Sequence, residues 1–145
     1  MSDAAESTPI LVHGLLVCRR ADLAPEGRLD LAEVLEIVAL DELPGDAGPL
    51  TFVAFVRGLP TGPTRCAFVI HPAGRPEHVT ARLPVEGQVD PAFANRQVAL
   101  QVRLPSIPVE RGGWFDLVFE VDGKPLAMVQ SLGAASFSVS SYLRR

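Results

Sequence analysis

The sequence predicts an all-β protein built as a two-sheet antiparallel β-sandwich of about seven or eight strands. Apolar and polar residues alternate along most segments, which is the pattern of a strand with one face in a core and the other in water. The 13 prolines and 12 glycines divide the chain into short elements separated by turns. A closed β-barrel is the main competing architecture, because its strands alternate in the same way.

Length and composition indicate one globular domain. The chain has 145 residues, and a hydrophobic fraction of 48% excludes general disorder. Residues 1–8 are small and acidic and are expected to form a flexible N-terminus, which leaves residues 9–145 as a single β-sandwich domain. A net charge of −4, with Lys124 as the only lysine, argues against a nucleic acid partner.

The first half of the chain contains one clear strand, one ambiguous segment and a candidate hairpin. Ile10 to Arg20 is apolar on both alternations, which predicts a strand covered on both faces. Leu29 to Leu40 has the apolar spacing of a helix but also fits a strand interrupted by Glu33, and we favour the strand. Leu50 to Arg57 is expected at the centre of a sheet, with Arg65 to His71 paired to it as a hairpin.

The next segments predict an edge strand and an inner strand. Glu77 to Val85 suits a sheet edge because it contains a proline and has a polar outer face, while its inward positions are Val79, Ala81 and Leu83. Residues 87–95 form the longest irregular piece, with one short helical turn near residues 90–95 that would tuck Phe93 under the sandwich. Arg96 to Leu104 alternates without error and points inward with Val98, Leu100, Val102 and Leu104.

The clearest element is a hairpin near the end of the chain. Phe115 to Val121 alternates apolar and polar residues, and Asp122-Gly123 follows as a pair suited to a tight turn. The apolar run from Leu126 to Leu132 is then expected to return along the first strand. A weak alternation within residues 134–143 adds one more short strand.

No set of residues forms a catalytic, cofactor-binding or metal-binding signature, and we expect no cofactor and no enzyme. A Gly-x-Ser-x-Gly elbow and phosphate-binding glycine loops are absent from the sequence. His71 and His78 flank one turn and supply at most half of a zinc site, whose other ligands would come from Glu77, Cys18 or a partner chain. His13 is interpreted as a core or partly exposed histidine, and Cys18 and Cys66 as buried reduced thiols. The outer carboxylates of Asp116, Glu120 and Asp122 are interpreted as a solvated face, with a calcium site of Asp122 and Asp90 as the alternative. The arginines on outward positions favour solubility and pairing at the rim over a surface for an anionic ligand: Arg57, Arg65, Arg82, Arg96 and Arg103.

Three stretches of the chain resemble an uncharacterised bacterial family of small β-sandwich domains of unknown function. They are LVHGLLVCRRADLAPEGRLDL, LPGDAGPLTFVAFVRG and IPVERGGWFDLVFEVDGKPLA, which together span about residues 10–130. The last stretch carries the family's closing strand pattern at Gly113, Phe115, Leu117, Phe119 and Gly123. The resemblance implies an immunoglobulin-like sandwich, favours a strand between Leu29 and Ala39, and implies no activity and no site residues.

Taken together, the sequence predicts a non-enzymatic protein-interaction or structural module. Trp114 lies on the outward alternation and either anchors a contact with a protein partner, which includes self-association, or packs under the first strand. The alternative is a sandwich that binds a small carbohydrate or lipid ligand, with loops 58–63, 86–95 and 105–112 forming the mouth. The N-terminus lacks the pattern of a signal peptide and no apolar run could cross a bilayer, so we expect a cytoplasmic protein without membrane contact.

Overall fold

The computed structural model describes residues 10–23, 29–35, 37–40, 42–60, 62–89, 96–126 and 136–141. These residues form twelve β-strands and no helix, which confirms the all-β class. The strands are β1 (Leu11–Leu23), β2 (Leu29–Leu35), β3 (Ile37–Leu40), β4 (Gly45–Asp46), β5 (Leu50–Arg57), β6 (Gly62–Pro72), β7 (Ala81–Val89), β8 (Gln97–Leu104), β9 (Pro108–Val109), β10 (Gly113–Val121), β11 (Lys124–Pro125) and β12 (Ser136–Ser141).

The strands form two main sheets, and neither closes into a barrel within the described residues. The first sheet has the order β2-β1-β5-β8 and is antiparallel throughout. The second has the order β3-β12-β10-β6-β7, with β11 beside β10. Its β3–β12 pair is parallel, whereas its other pairs are antiparallel. A separate two-stranded piece joins β4 to β9.

The inner faces of the two sheets share one hydrophobic core. Phe52 of the first sheet lies with its ring centroid 6.2 Å from that of Phe68 in the second, and Phe68 packs edge-on against Phe119 at 5.2 Å. All three rings are fully buried. Every second residue of the central strands belongs to this core, as the predicted alternation requires: Val12, Leu15, Val17, Leu50, Phe52, Ala54, Val56, Cys66, Phe68, Ile70, Leu117, Phe119 and Val121.

Several predicted strands are confirmed, including the ambiguous one. The four consecutive residues 15–18 of β1 are all buried, so this strand is covered on both faces. Residues 29–35 and 37–40 form β2 and β3, which pair with β1 in the first sheet and with β12 in the second. A helix would have placed Val34 and Val38 on one face, but Val34 is 56% exposed and Val38 is fully buried. Pairing with neighbouring strands therefore overrides the helical spacing.

The predicted turn at Asp122-Gly123 is also confirmed. Asp122 has a φ of 51° and Gly123 a φ of 80°, the two positive values that a type I′ hairpin turn needs. After this turn β11 pairs with the end of β10, and the amide of Leu126 donates to the carbonyl of Phe119 at 2.9 Å. The rest of the predicted return strand, residues 127–132, lies outside the described residues.

The predicted hairpin of Leu50–Arg57 with Arg65–His71 is wrong. β5 lies between β1 and β8 in the first sheet, whereas β6 lies between β10 and β7 in the second. Gly58 to Pro60 carries the chain from one sheet to the other, with Leu59 buried at 6% exposure. Both strands are apolar enough to be central, and two central strands of a sandwich can occupy different sheets although they are adjacent in the chain.

The predicted edge position of this strand is confirmed, but its predicted bounds, Glu77 to Val85, are wrong. β7 is at the edge of the second sheet, and it begins at Ala81 and continues past Pro84 to Val89. Val79 precedes the strand and is 46% exposed, so its inward assignment was wrong. The inward positions of β8 are confirmed because they pack against the core. The proposed helical turn at 90–95, Phe93 and the N-terminal residues 1–8 lie outside the described residues.

Candidate functional site

A tight turn at one corner of the second sheet carries an exposed arginine. The carbonyl of Pro72, the last residue of β6, accepts a hydrogen bond from the amide of Arg75 at 3.0 Å. Gly74 has a φ of 78°, which the third position of a type II turn requires and which glycine adopts without strain. The turn therefore fixes the backbone of Arg75 while its side chain remains exposed.

Three polar contacts hold this turn against β10. The amide of Ala73 donates to the carbonyl of Trp114 at 3.0 Å, and the amide of Gly74 donates to Oδ2 of Asp116 at 3.3 Å. Nδ1 of the buried His71 lies 2.9 Å from the carbonyl of Pro72 and 3.9 Å from Oδ2 of Asp116. Because a carbonyl only accepts, the contact of His71 with the carbonyl of Pro72 requires Nδ1 of His71 to carry a hydrogen. The turn is thus tied to β10 next to Trp114.

Trp114 is the exposed aromatic residue at this corner. Its neighbour Phe115 packs against the core, and Trp114 itself is 56% exposed, so Trp114 is not buried under the first strand. Gly113 precedes it, and a Cβ added at Gly113 would meet no atom within 4 Å. The space beside Trp114 is therefore open on the side from which the chain enters β10.

An open groove of about 610 Å³ adjoins Trp114 between the ends of the two sheets. Core residues of both sheets, including Leu50, Phe52 and Ile70, contribute to its lining. The charged residues among its described lining are Arg75, Glu110 and Arg111, which are all exposed and together carry one net positive charge. Within the described residues neither arginine forms an ion pair. We refer to Arg75, Glu110, Arg111, Gly113 and Trp114 as the Trp114 corner.

Asp46 fixes two segments that supply lining residues to the groove. Its Oδ1 accepts hydrogen bonds from the amides of Gly48 and Ile107, both at 2.8 Å, and its Oδ2 accepts one from the hydroxyl of Ser106 at 2.6 Å. These bonds tie β4 to the loop before β9, and Ile107 of that loop and Pro108 of β9 line the groove. The Ser106 hydroxyl, followed by the two amides, lowers the pKa of this carboxyl below its ordinary value of 3.8.

The lowered pKa makes a testable contribution to the pH dependence of stability. A carboxyl whose folded pKa is depressed favours the folded state above its ordinary pKa, and this contribution is lost as the pH falls from 3.8 through the folded value. We expect the melting temperature of the wild type to exceed that of Asp46→Asn at pH 6 and the two to converge below pH 3.8. Thermal melts from pH 7 to pH 3 measure this, and a difference that stays constant over the series would contradict it.

The remaining sequence candidates are dispersed. His71 is buried, whereas His78 is exposed in the following turn, and Cys18 lies in a separate cluster on the outer side of the first sheet with Leu16 and Val53. Among the residues that the structure describes, no group of three or more His, Cys, Asp or Glu side chains could hold a metal ion. Asp90, the suggested calcium partner of Asp122, lies outside the described ranges.

Four further candidates lie outside the groove lining. Cys18 and Cys66 are free and buried, and burial raises the pKa of both thiols. His13 occupies a β-bulge of β1, where its Nε2 is buried without a hydrogen-bond partner among the described residues. Glu120 was expected on a solvated face, but it is 9% exposed and forms an ion pair with Arg82. Its expected exposure was wrong because Arg82 of β7 reaches Glu120 on the outer side of the same sheet.

Sequence reasoning identified part of the Trp114 corner. Trp114 and loop 105–112 were singled out, and both line the groove, whereas loop 58–63 does not. Arg75 and Arg111 were missed, because neither belongs to a periodic strand pattern. The signal that could have found Arg111 is its place two glycines before the only tryptophan.

No family model matches the chain, and no curated protein matches it. Among solved structures, it is similar to the Pseudomonas fluorescens alkylpurine DNA glycosylase AlkC bound to DNA containing an abasic site analog. The likeness has 14% sequence identity and a TM-score of 0.48, and it covers 90% of this chain but only 30% of that one. At this identity and TM-score it transfers no activity, substrate or partner to this chain.

Two expectations from the sequence disagree with this comparison, in which the similar structure is a DNA-bound enzyme. The first is the function of a protein-interaction or structural module, with carbohydrate or lipid binding as its alternative. The second is the expected partner, a protein or a second copy of this chain and not a nucleic acid. We withdraw both expectations. That the protein is not an enzyme and that it is cytoplasmic stay predictions. No helix among the described residues is long and apolar enough to span a membrane.

Proposed function

We propose that the Trp114 corner binds single-stranded nucleic acid. The observation that carries this proposal is the exposed indole of Trp114 in a groove lined by two arginines without ion pairs among the described residues. Proteins that bind single strands without sequence preference stack unpaired bases on aromatic side chains and place cations along the backbone. Trp114 would take one base, and Arg75 and Arg111 would take the phosphates on its two sides.

The net charge of −4 does not oppose this assignment. Net charge sets long-range attraction, but at physiological salt charges more than about 8 Å apart are largely screened, so the local balance decides. The described residues that line the groove have a net charge of +1, and Glu110 is the only negative one among them. Such a site predicts weak binding, because two phosphate contacts release few counterions.

A single strand fits better than a duplex. Stacking on an indole needs a base whose face is free, whereas the bases of a duplex present only their edges. The open space beside Gly113 gives a flat ring access to Trp114, and the adjoining groove has a volume of about 610 Å³. Binding without chemical turnover completes the proposal, since the described residues of the corner contain no nucleophile beside a general base.

We further infer that the sandwich is of the immunoglobulin-like class. Three strands of one sheet, β6, β10 and β12, are adjacent in the order expected for the C, F and G strands of that class. In the other sheet, β5 between β1 and β8 would correspond to B between A and E. The Trp114 corner would then lie at the start of the F strand, next to the loop that enters it.

The single tryptophan gives a direct test of the function. Titration with an oligothymidylate of eight nucleotides at low salt is expected to quench the fluorescence of Trp114, because a stacked base contacts the indole. The logarithm of the binding constant should fall with the logarithm of salt concentration with a slope near −1.4, about −0.7 for each of two phosphates. Arg111→Gln should make this slope less steep by about 0.7, because one phosphate contact is lost.

The control variant is Arg103→Gln, which removes an exposed arginine from β8 of the other sheet. It should leave both the quenching and the slope unchanged. A thymidine mononucleotide tests whether a free nucleotide suffices, and it should bind more weakly because it offers one phosphate. Unchanged Trp114 fluorescence at saturating oligonucleotide, or equal effects of Arg111→Gln and Arg103→Gln, would overturn the proposed function.

A further inference from the structure

We propose that Asp116 is a positioning residue, which holds the Pro72–Arg75 turn so that the guanidinium of Arg75 lies beside Trp114. This inference rests on the proposed function, because it assigns the residue that keeps the two halves of the binding site together. Asp116 is not itself part of the groove lining. Its role is to fix a turn that belongs to a different strand.

The geometry supports this role through two contacts on one oxygen. Oδ2 of Asp116 accepts a hydrogen bond from the amide of Gly74, the residue before Arg75. The same Oδ2 lies 3.9 Å from Nδ1 of His71, the residue before Pro72. The carboxylate therefore lies close to both His71 and Gly74, the residues that flank Pro72 and Ala73. Asp116 and His71 are also opposite each other in the β10–β6 register, so the backbone places the two side chains together.

A carboxylate near a phosphate site would ordinarily weaken binding. Asp116 is two residues from Trp114 on the same strand face, and its side chain is 35% exposed. If Asp116 acted only through its charge, its removal would strengthen binding by relieving repulsion of the phosphates. If it positions Arg75, its removal weakens binding instead. The sign of the change therefore separates the two roles.

A double-mutant cycle on oligothymidylate binding tests the proposal, with affinity measured by fluorescence anisotropy of a labelled strand. Arg75→Gln is expected to lower affinity by about 2- to 10-fold, as for the loss of one hydrogen-bonded contact. Asp116→Ala should lower it by a similar factor when Arg75 is present. In the Arg75→Gln background, Asp116→Ala should lower affinity no further, because the residue it positions is already gone.

Two further variants keep the cycle interpretable. Asp116→Asn retains an oxygen that accepts from the amide of Gly74, so it should restore most of the affinity lost in Asp116→Ala. Glu42→Ala removes an exposed carboxylate outside the groove lining and should leave affinity unchanged. Circular dichroism and melting of each variant show whether it folds, and Asp116→Asn carries the test if Asp116→Ala does not.

The outcomes separate this inference from the proposed function. No effect of Arg75→Gln together with no quenching of Trp114 would overturn the proposed function. A loss of affinity in Arg75→Gln, with an additive or favourable effect of Asp116→Ala, would leave the function standing and overturn the positioning role. We expect the affinity losses of Arg75→Gln and Asp116→Ala to be non-additive, and Asp116→Asn to retain most of the wild-type affinity.

Discussion

Replacement of Phe68 by alanine is expected to lower the free energy of unfolding by about 3–5 kcal/mol. Phe68 is fully buried and contacts Phe119 within its own sheet and Phe52 in the opposite sheet. Its ring therefore links the aromatic side chains of the two sheets. Removing it leaves a cavity that neither sheet can fill, because both are held by hydrogen bonds to their neighbouring strands.

Urea unfolding followed by circular dichroism measures this loss as a lower midpoint at an unchanged slope. Phe68→Leu keeps part of the buried volume and should lose less than the alanine variant. Val34→Ala provides the matched control, because Val34 is 56% exposed, and it should change stability by less than about 0.5 kcal/mol. Equal midpoints for Phe68→Ala and Val34→Ala would show that the two sheets do not share the core described above.

Replacement of Trp114 by alanine is expected to weaken oligothymidylate binding by about 5- to 150-fold. The range follows from the roughly 1–3 kcal/mol that stacking of one base on an aromatic side chain contributes. Trp114→Phe retains a smaller stacking face and should lose less. Since both variants remove the intrinsic fluorophore, the affinity is measured by anisotropy of a labelled strand. Stability should change little, because Trp114 is mostly exposed.

The salt dependence gives this prediction a second measurement. Stacking involves no phosphate, so Trp114→Ala should lower affinity at every salt concentration without changing the slope. Arg111→Gln should instead change the slope. If the alanine variant retained wild-type affinity while the arginine variant lost it, the site would be a purely electrostatic one. Stacking would then have to be removed from the proposed mechanism.

Local patterns in the sequence predicted the strands far better than the partners of those strands. The alternation in β8 and β10 identified their inward residues, since the period of two is a property of each strand alone. The segment from Leu29 to Leu40 was recognised as strand although its spacing also suits a helix. The pairing of β5 with β6 was wrong, because adjacency in the chain does not determine which sheet a strand joins.

In the candidate site, too, local features were predictable from the sequence and long-range contacts were not. Trp114 was recognised from its position on the outward alternation, which depends only on neighbouring residues. Arg75 could not be placed beside it, because their proximity depends on hydrogen bonds from Ala73 and Gly74 to residues about 40 positions later in the chain. The type II turn that presents Arg75 has a sequence signal in Gly74, but that signal does not reveal which strand the turn contacts.

The parallel pair of β3 with β12 has a consequence for how the protein folds during its synthesis. Among the described strands, β3 lies at the edge of its sheet and pairs there only with β12, which comes about 100 residues later in the chain. Val38 and Leu40, which are buried in the finished molecule, therefore gain their sheet neighbour only after the ribosome has translated residue 141. Until then this segment remains an unpaired apolar stretch of the nascent polypeptide, the kind of segment on which chaperones act.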